Sequence, residues 1–94
     1  MVEATQKTYS SMHFRGPISA VCLHGNLLFA GSGPYLSVYK VSSLQHELIE
    51  SFQVFPVSLK ITAIESVRSS IIVRSERTFK VLHGDSRTVI YDHG

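Results

Sequence analysis

Short apolar runs alternate with polar breaks along most of the chain, and glycine, proline, asparagine or serine stands in most of the breaks. In the run 35–41 the side chains follow a period of two, with Leu36 and Val38 on one face and Ser37 on the other. A period of two is typical of β-strands, and outside the run 46–55 no helical period is present. The pattern predicts eight β-strands joined by short turns, at residues 18–23, 27–31, 35–41, 46–55, 59–66, 70–75, 77–83 and 88–92.

The fourth run has two interpretations, and the first run is apolar on both faces. Leu48, Phe52 and Phe55 have the spacing of a short helix, but the same run also fits an edge strand. The β-hairpins around it favour the strand. The run 18–23 carries apolar residues on both faces, which predicts a strand buried on both sides.

Two segments of the chain share one pattern at an offset of 43 residues. Residues 17–39 align with residues 60–82 without a gap, so that Leu36 meets Phe79 and turns fall on turns. Nine of the ten apolar residues in the second segment fall on apolar residues in the first. Chance placement would give about six. The pattern therefore indicates an internal repeat of four short strands.

A four-stranded repeat of this length is the sequence signature of a β-propeller blade of WD-repeat size. We therefore predict an all-β, propeller-type fold with a flexible polar arm at 1–15 and two antiparallel blades, at 16–56 and 57–94. Because a propeller closes with about four blades or more, two blades form only part of one, and we expect a truncated or partial propeller. The alternative is a small β-barrel or sandwich in which the repeat is accidental.

The composition is that of a small globular protein. Hydrophobic residues make up 44% and charged residues 17% of the 94 residues, values that do not fit a disordered chain. The single cysteine, Cys22, lies in an apolar run and allows no intrachain disulfide. Residues 1–16 lack the apolar segment of a signal peptide, and no run approaches the roughly 20 apolar residues of a membrane span. We expect a cytoplasmic protein without a membrane partner.

Basic residues are concentrated in the second half of the chain, although the net charge is only +2. Residues 57–94 hold six basic and four acidic side chains, which suits an anionic partner but also an ordinary solvated strand face. The stretch 74–80, RSERTFK, surrounds Phe79 with basic groups, as in some RNA-binding surfaces, whereas the repeat alignment favours a core position for this ring. The candidate contacts with RNA or with a protein partner are Arg68, Arg74, Arg77, Lys80 and Arg87.

Motifs of catalysis and of cofactor binding are missing from the sequence. GSGP at 31–34 contains Gly-x-Gly, but a strand follows where a phosphate-binding loop requires a helix, so we predict a hairpin turn. The five histidines are scattered, and no Cys/His pair has zinc spacing. Serine, histidine and aspartate occur without a nucleophile-elbow motif. We expect no catalytic, cofactor-binding or metal-binding residues, no cofactor, no small-molecule substrate and no enzymatic activity.

Three short motifs occur in an order that is known from one protein family: AGSGP at 30–34, Val38-Tyr39, and Phe52-Gln53-Val54. Over residues 16–83 the chain resembles the N-terminal part of the WD-repeat adaptor subunit of eukaryotic tRNA 2′-O-methyltransferases, which act at the wobble position of the anticodon loop. The GSGP hairpin with its Val-Tyr is the informative part. Members of that family are longer, and the Gly-His and Trp-Asp signatures of WD repeats are missing from this sequence.

The resemblance implies a non-catalytic adaptor that binds a separate tRNA 2′-O-methyltransferase and contacts tRNA through it. The catalytic residues and the S-adenosylmethionine pocket belong to that partner, so the resemblance assigns none to this chain. The residues alone leave open an alternative, a stand-alone small β-domain that binds RNA through its basic second half. Such binding would weaken steeply as salt rises.

Overall fold

The computed structural model describes residues 17–42 and 45–93, and the arm predicted at 1–15 lies outside them. This part of the chain contains eight β-strands and no helix, as the apolar pattern predicts. The run with two interpretations is a strand. The strands are β1 (Ala20–His24), β2 (Leu27–Ser32), β3 (Tyr35–Val41), β4 (His46–Gln53), β5 (Ala63–Val67), β6 (Ser70–Arg74), β7 (Phe79–His83) and β8 (Val89–His93).

The strands form two separate four-stranded antiparallel sheets, each a simple meander. The first sheet has the order β1-β2-β3-β4, the second has the order β5-β6-β7-β8, and residues 54–62 link them. Ladder hydrogen bonds join strands only within each sheet, so the described strands do not close into a barrel. Gly25 and Gly33 occupy the first two turns with φ of +62° and +58°, a conformation that glycine adopts without steric cost.

The 43-residue repeat of the sequence reappears in the hydrogen-bond register. The row Cys22, Phe29 and Val38 across the first sheet corresponds to the row Glu65, Ile72 and Val81 across the second. Even the irregularities match. The pairing of the third and fourth strands shifts between Val38 and Tyr39 in the first sheet, and between Val81 and Leu82 in the second. The two sheets are therefore structural copies of one unit.

The hydrophobic core lies between the two sheets. Its centre consists of side chains that are fully buried, and burial of each stabilises the fold by about 1.5–3 kcal/mol. Phe29 and Leu36 come from the first sheet, and Ile71 and Leu82 from the second. The complete buried set is Phe29, Leu36, Val38, Val54, Phe55, Ile61, Ile64, Ile71, Val73 and Leu82.

The two sheets contribute different faces to this core. Leu36 of the first sheet is fully buried in the core. Its repeat equivalent, Phe79, lies on the face of the second sheet that points away from the core. Successive side chains on a strand point to opposite faces. In β7 the core receives Leu82, not Phe79. The sheets thus pack head to tail, with one face of the unit against the other face of its copy.

The strand β1 is not buried on both sides, so that prediction is wrong. Val21 and Leu23 are 50% and 60% exposed, while Ala20 and Cys22 pack against the core. The reason is that β1 is an edge strand, paired only with β2, and its second face lies away from the other sheet.

Candidate functional site

The GSGP hairpin at 31–34 is the junction between the two sheets. The carbonyl of Gly33 accepts a hydrogen bond from Ile61 N (2.8 Å), and the carbonyl of Pro34 accepts one from Val54 N (2.8 Å). Gly31 lies so close to Ile61 that a Cβ built on it would stand 2.7 Å from the Cγ2 atom. The motif therefore anchors both ends of the linker, and β3 follows it directly. The predicted hairpin turn is confirmed, and this Gly-x-Gly does not begin a helix.

The structure divides the five candidate contact residues among different surfaces. Arg68 lies in the β5–β6 turn and Arg77 in the β6–β7 turn, which are at opposite ends of β6. Arg74 and Lys80 lie on opposite faces of the second sheet, because Arg74 pairs with Phe79 across the strands. The β7–β8 turn contains Arg87. RNA or partner contact by these residues stays a prediction, and they do not share one patch.

Two of the five basic residues lie beside the core and are engaged within the chain. Arg87 Nε contacts Glu50 Oε1 of β4 at 2.5 Å, so this ion pair connects the two sheets. The Arg87 side chain is largely buried, and it also donates a hydrogen bond to the carbonyl of Asp85. Lys80 Nζ lies 3.5 Å from Asp92 Oδ2 and over the ring of Phe55. These contacts hold both cations in place from within the chain.

Arg74 lies on the face of the second sheet that points away from the first. Its Nε contacts Glu65 Oε1 of β5 at 2.5 Å, and its guanidinium carbon is 5.7 Å from the centre of the Phe79 ring. An exposed ion pair of this kind contributes about 0–1 kcal/mol to stability. A planar guanidinium over an aromatic ring is a favourable cation–π arrangement. The charge of Arg74 is thus balanced by Glu65 on the same face.

An aromatic cluster adjoins Arg74, and sequence reasoning missed most of it. The Phe79 ring stacks on His93 of β8, with 5.1 Å between ring centres and 16° between ring planes. Tyr91 joins them, 5.7 Å from Phe79 and half exposed. The core position that the repeat favours for Phe79 is wrong, since this ring is only partly buried and lies on the face of the second sheet that points away from the first. The cluster depends on the β7–β8 register, which no local pattern reveals.

A serine–histidine pair crosses between the sheets at the end of β1. His24 Nδ1 and Ser66 Oγ lie 2.7 Å apart, and the ring meets Phe29 edge to face. The other ring nitrogen faces Gly84, where an added Cβ would stand 2.5 Å from His24 Nε2. The arrangement is a polar contact between packed sheets.

Cys22 is a partly buried residue of β1. Burial raises the pKa of the Cys22 thiol, nearby Glu65 adds to the rise, and a hydrogen bond from Ser66 opposes it. A raised thiol pKa disfavours the nucleophilic thiolate.

A shallow groove of about 510 Å³ lies between the linker and β7 and β8. It is lined by Phe55, Pro56, Leu59, Thr78, Lys80, Asp92 and His93.

Within residues 17–42 and 45–93, no group of three histidine, cysteine, aspartate or glutamate side chains is arranged to hold a metal ion. No helix in this part of the chain has the length and apolar character needed to cross a membrane. In comparisons with known proteins, no protein-family model and no curated protein matches the chain.

Proposed function

We propose that the chain is a non-catalytic interaction scaffold of the propeller type, made of two blades. The observation that carries this proposal is the head-to-tail packing of two structurally equivalent sheets. When equivalent units pack through two different faces, each added unit leaves a new free face, so the arrangement can continue to a ring or an open stack. Propellers are built by this kind of repetition. A symmetric sandwich would instead bury the same face of both sheets.

The partner in this proposal comes from the sequence resemblance. We propose that the scaffold binds a tRNA 2′-O-methyltransferase that modifies the wobble position, and that tRNA is contacted through this partner. The hairpin that carries the resemblance, AGSGP at 30–34, has a structural role in this chain, because it contacts and positions the linker between the sheets. Its presence therefore supports a shared two-blade arrangement, and the partner's identity depends on experiment.

RNA binding by the basic second half receives less support. A polyanion is held by several unpaired cations on one surface. Here Arg74, Lys80 and Arg87 each form an ion pair with a carboxylate of the same chain, and they lie on different surfaces. No observation favours RNA binding over the scaffold function.

The test uses the purified chain and the wobble-position tRNA 2′-O-methyltransferase encoded in the same genome. Calorimetry and size-exclusion chromatography with light scattering should show a defined complex. Ribose methylation at the wobble nucleotide, measured by mass spectrometry of the tRNA, should rise when the chain is added to the enzyme. Absence of a complex together with unchanged methylation would refute the adaptor function. Methyl transfer by the chain alone, with S-adenosylmethionine and tRNA, would refute its non-catalytic part.

A further inference from the structure

We draw no further inference here: the strongest candidate, the shallow groove between the linker and β7 and β8, holds Lys80 and Asp92 paired with each other, and nothing in the structure shows what covers it.

Discussion

Gly31 lies on β2 where the first sheet approaches the linker most closely, and its replacement by alanine tests how the sheets pack. The new Cβ would stand 2.7 Å from Ile61 Cγ2 and 3.0 Å from Ile61 Cβ. Carbon atoms in contact are usually about 3.5–4.0 Å apart, so Ile61 would have to move by roughly 1 Å. Ile61 is fully buried, its N–H donates to Gly33 O, and its carbonyl accepts from Ser19 Oγ. It has little freedom to move.

The expected loss of stability follows from two opposing effects. Overfilling a packed core costs about 1–3 kcal/mol. Alanine recovers about 0.5–1 kcal/mol, because glycine loses more backbone entropy in a strand. The free energy of unfolding of Gly31→Ala should therefore fall by about 1–2 kcal/mol. For a domain of this size the melting temperature should fall by roughly 5–15 °C.

A double-mutant cycle in urea, followed by circular dichroism, separates this collision from other effects. Ile61→Leu removes the branch at Cβ at a cost usually below about 1.5 kcal/mol. Leucine keeps the Cβ atom, which stands 3.0 Å from the added carbon, so in that background Gly31→Ala should cost less but not nothing, which gives a coupling of about 0.5–1 kcal/mol. Gly33→Ala is the control. Alanine at the φ of +58° of Gly33 should cost about 1–2 kcal/mol. Because no atom lies within 4 Å of the added Cβ, this cost should be the same in both backgrounds. An equal cost of Gly31→Ala in both backgrounds would refute the reasoning.

Three further predictions concern contacts between the sheets and the partly buried thiol of Cys22. Glu50→Gln should lower the free energy of unfolding by about 0.5–1 kcal/mol at low salt, because it breaks the pair with Arg87, and the loss should shrink at high salt. Gly84→Ala should cost about 1–3 kcal/mol, measured by urea unfolding, because the added Cβ collides with His24, and His24→Ala should relieve part of this cost, since the contact with the Ser69 carbonyl at 3.0 Å stays. Burial raises the pKa of the Cys22 thiol, so the pH midpoint of its alkylation by iodoacetamide should lie above the usual thiol range. The free energy of unfolding should fall as the pH rises above that range, and it should fall less steeply in Cys22→Ala.

Each of these predictions has a result that contradicts it. Glu76 lies exposed in the β6–β7 turn, and Glu76→Gln is the control for Glu50→Gln; equal effects of the two would exclude a contribution of the ion pair. Full stability of Gly84→Ala would show that the turn moves away from His24 freely. For Cys22, the sign follows from the folded state binding the thiol proton more tightly than the unfolded chain. Alkylation with the midpoint of a free thiol would contradict the burial of this side chain.

Local patterns in the sequence predicted the elements of the fold. The period of two and the turn residues gave all eight strands, and the 43-residue offset matched even the position of the register shift in each sheet. These features depend on residues close together in the chain. Glycine at 25 and 33 marks turns that need a positive φ, which is a local requirement as well.

The candidate site was less predictable, because the same alternation describes a strand whichever face is covered. Val21 and Leu23 look like core residues in the sequence and are exposed, since β1 is an edge strand. Phe79 looks equivalent to a core leucine, but it lies beside Arg74 and His93 on the face of the second sheet that points away from the first. In the sequence the five basic residues look like one set. In the structure they lie on different surfaces, where Arg74, Lys80 and Arg87 each pair with a carboxylate from another strand.

The sequence by itself thus determined the number and order of the strands, their turns and their grouping into two equal units, whereas strand limits differed, as in β5, predicted at 59–66 and observed at Ala63–Val67. The tertiary structure decided which face of each unit is covered, and it brought Gly31 against Ile61, Glu50 to Arg87 and His24 to Ser66. The physical reason is the range of the forces. Strand and turn preferences act over a few neighbouring residues, whereas cross-strand register and packing between sheets join residues dozens of positions apart.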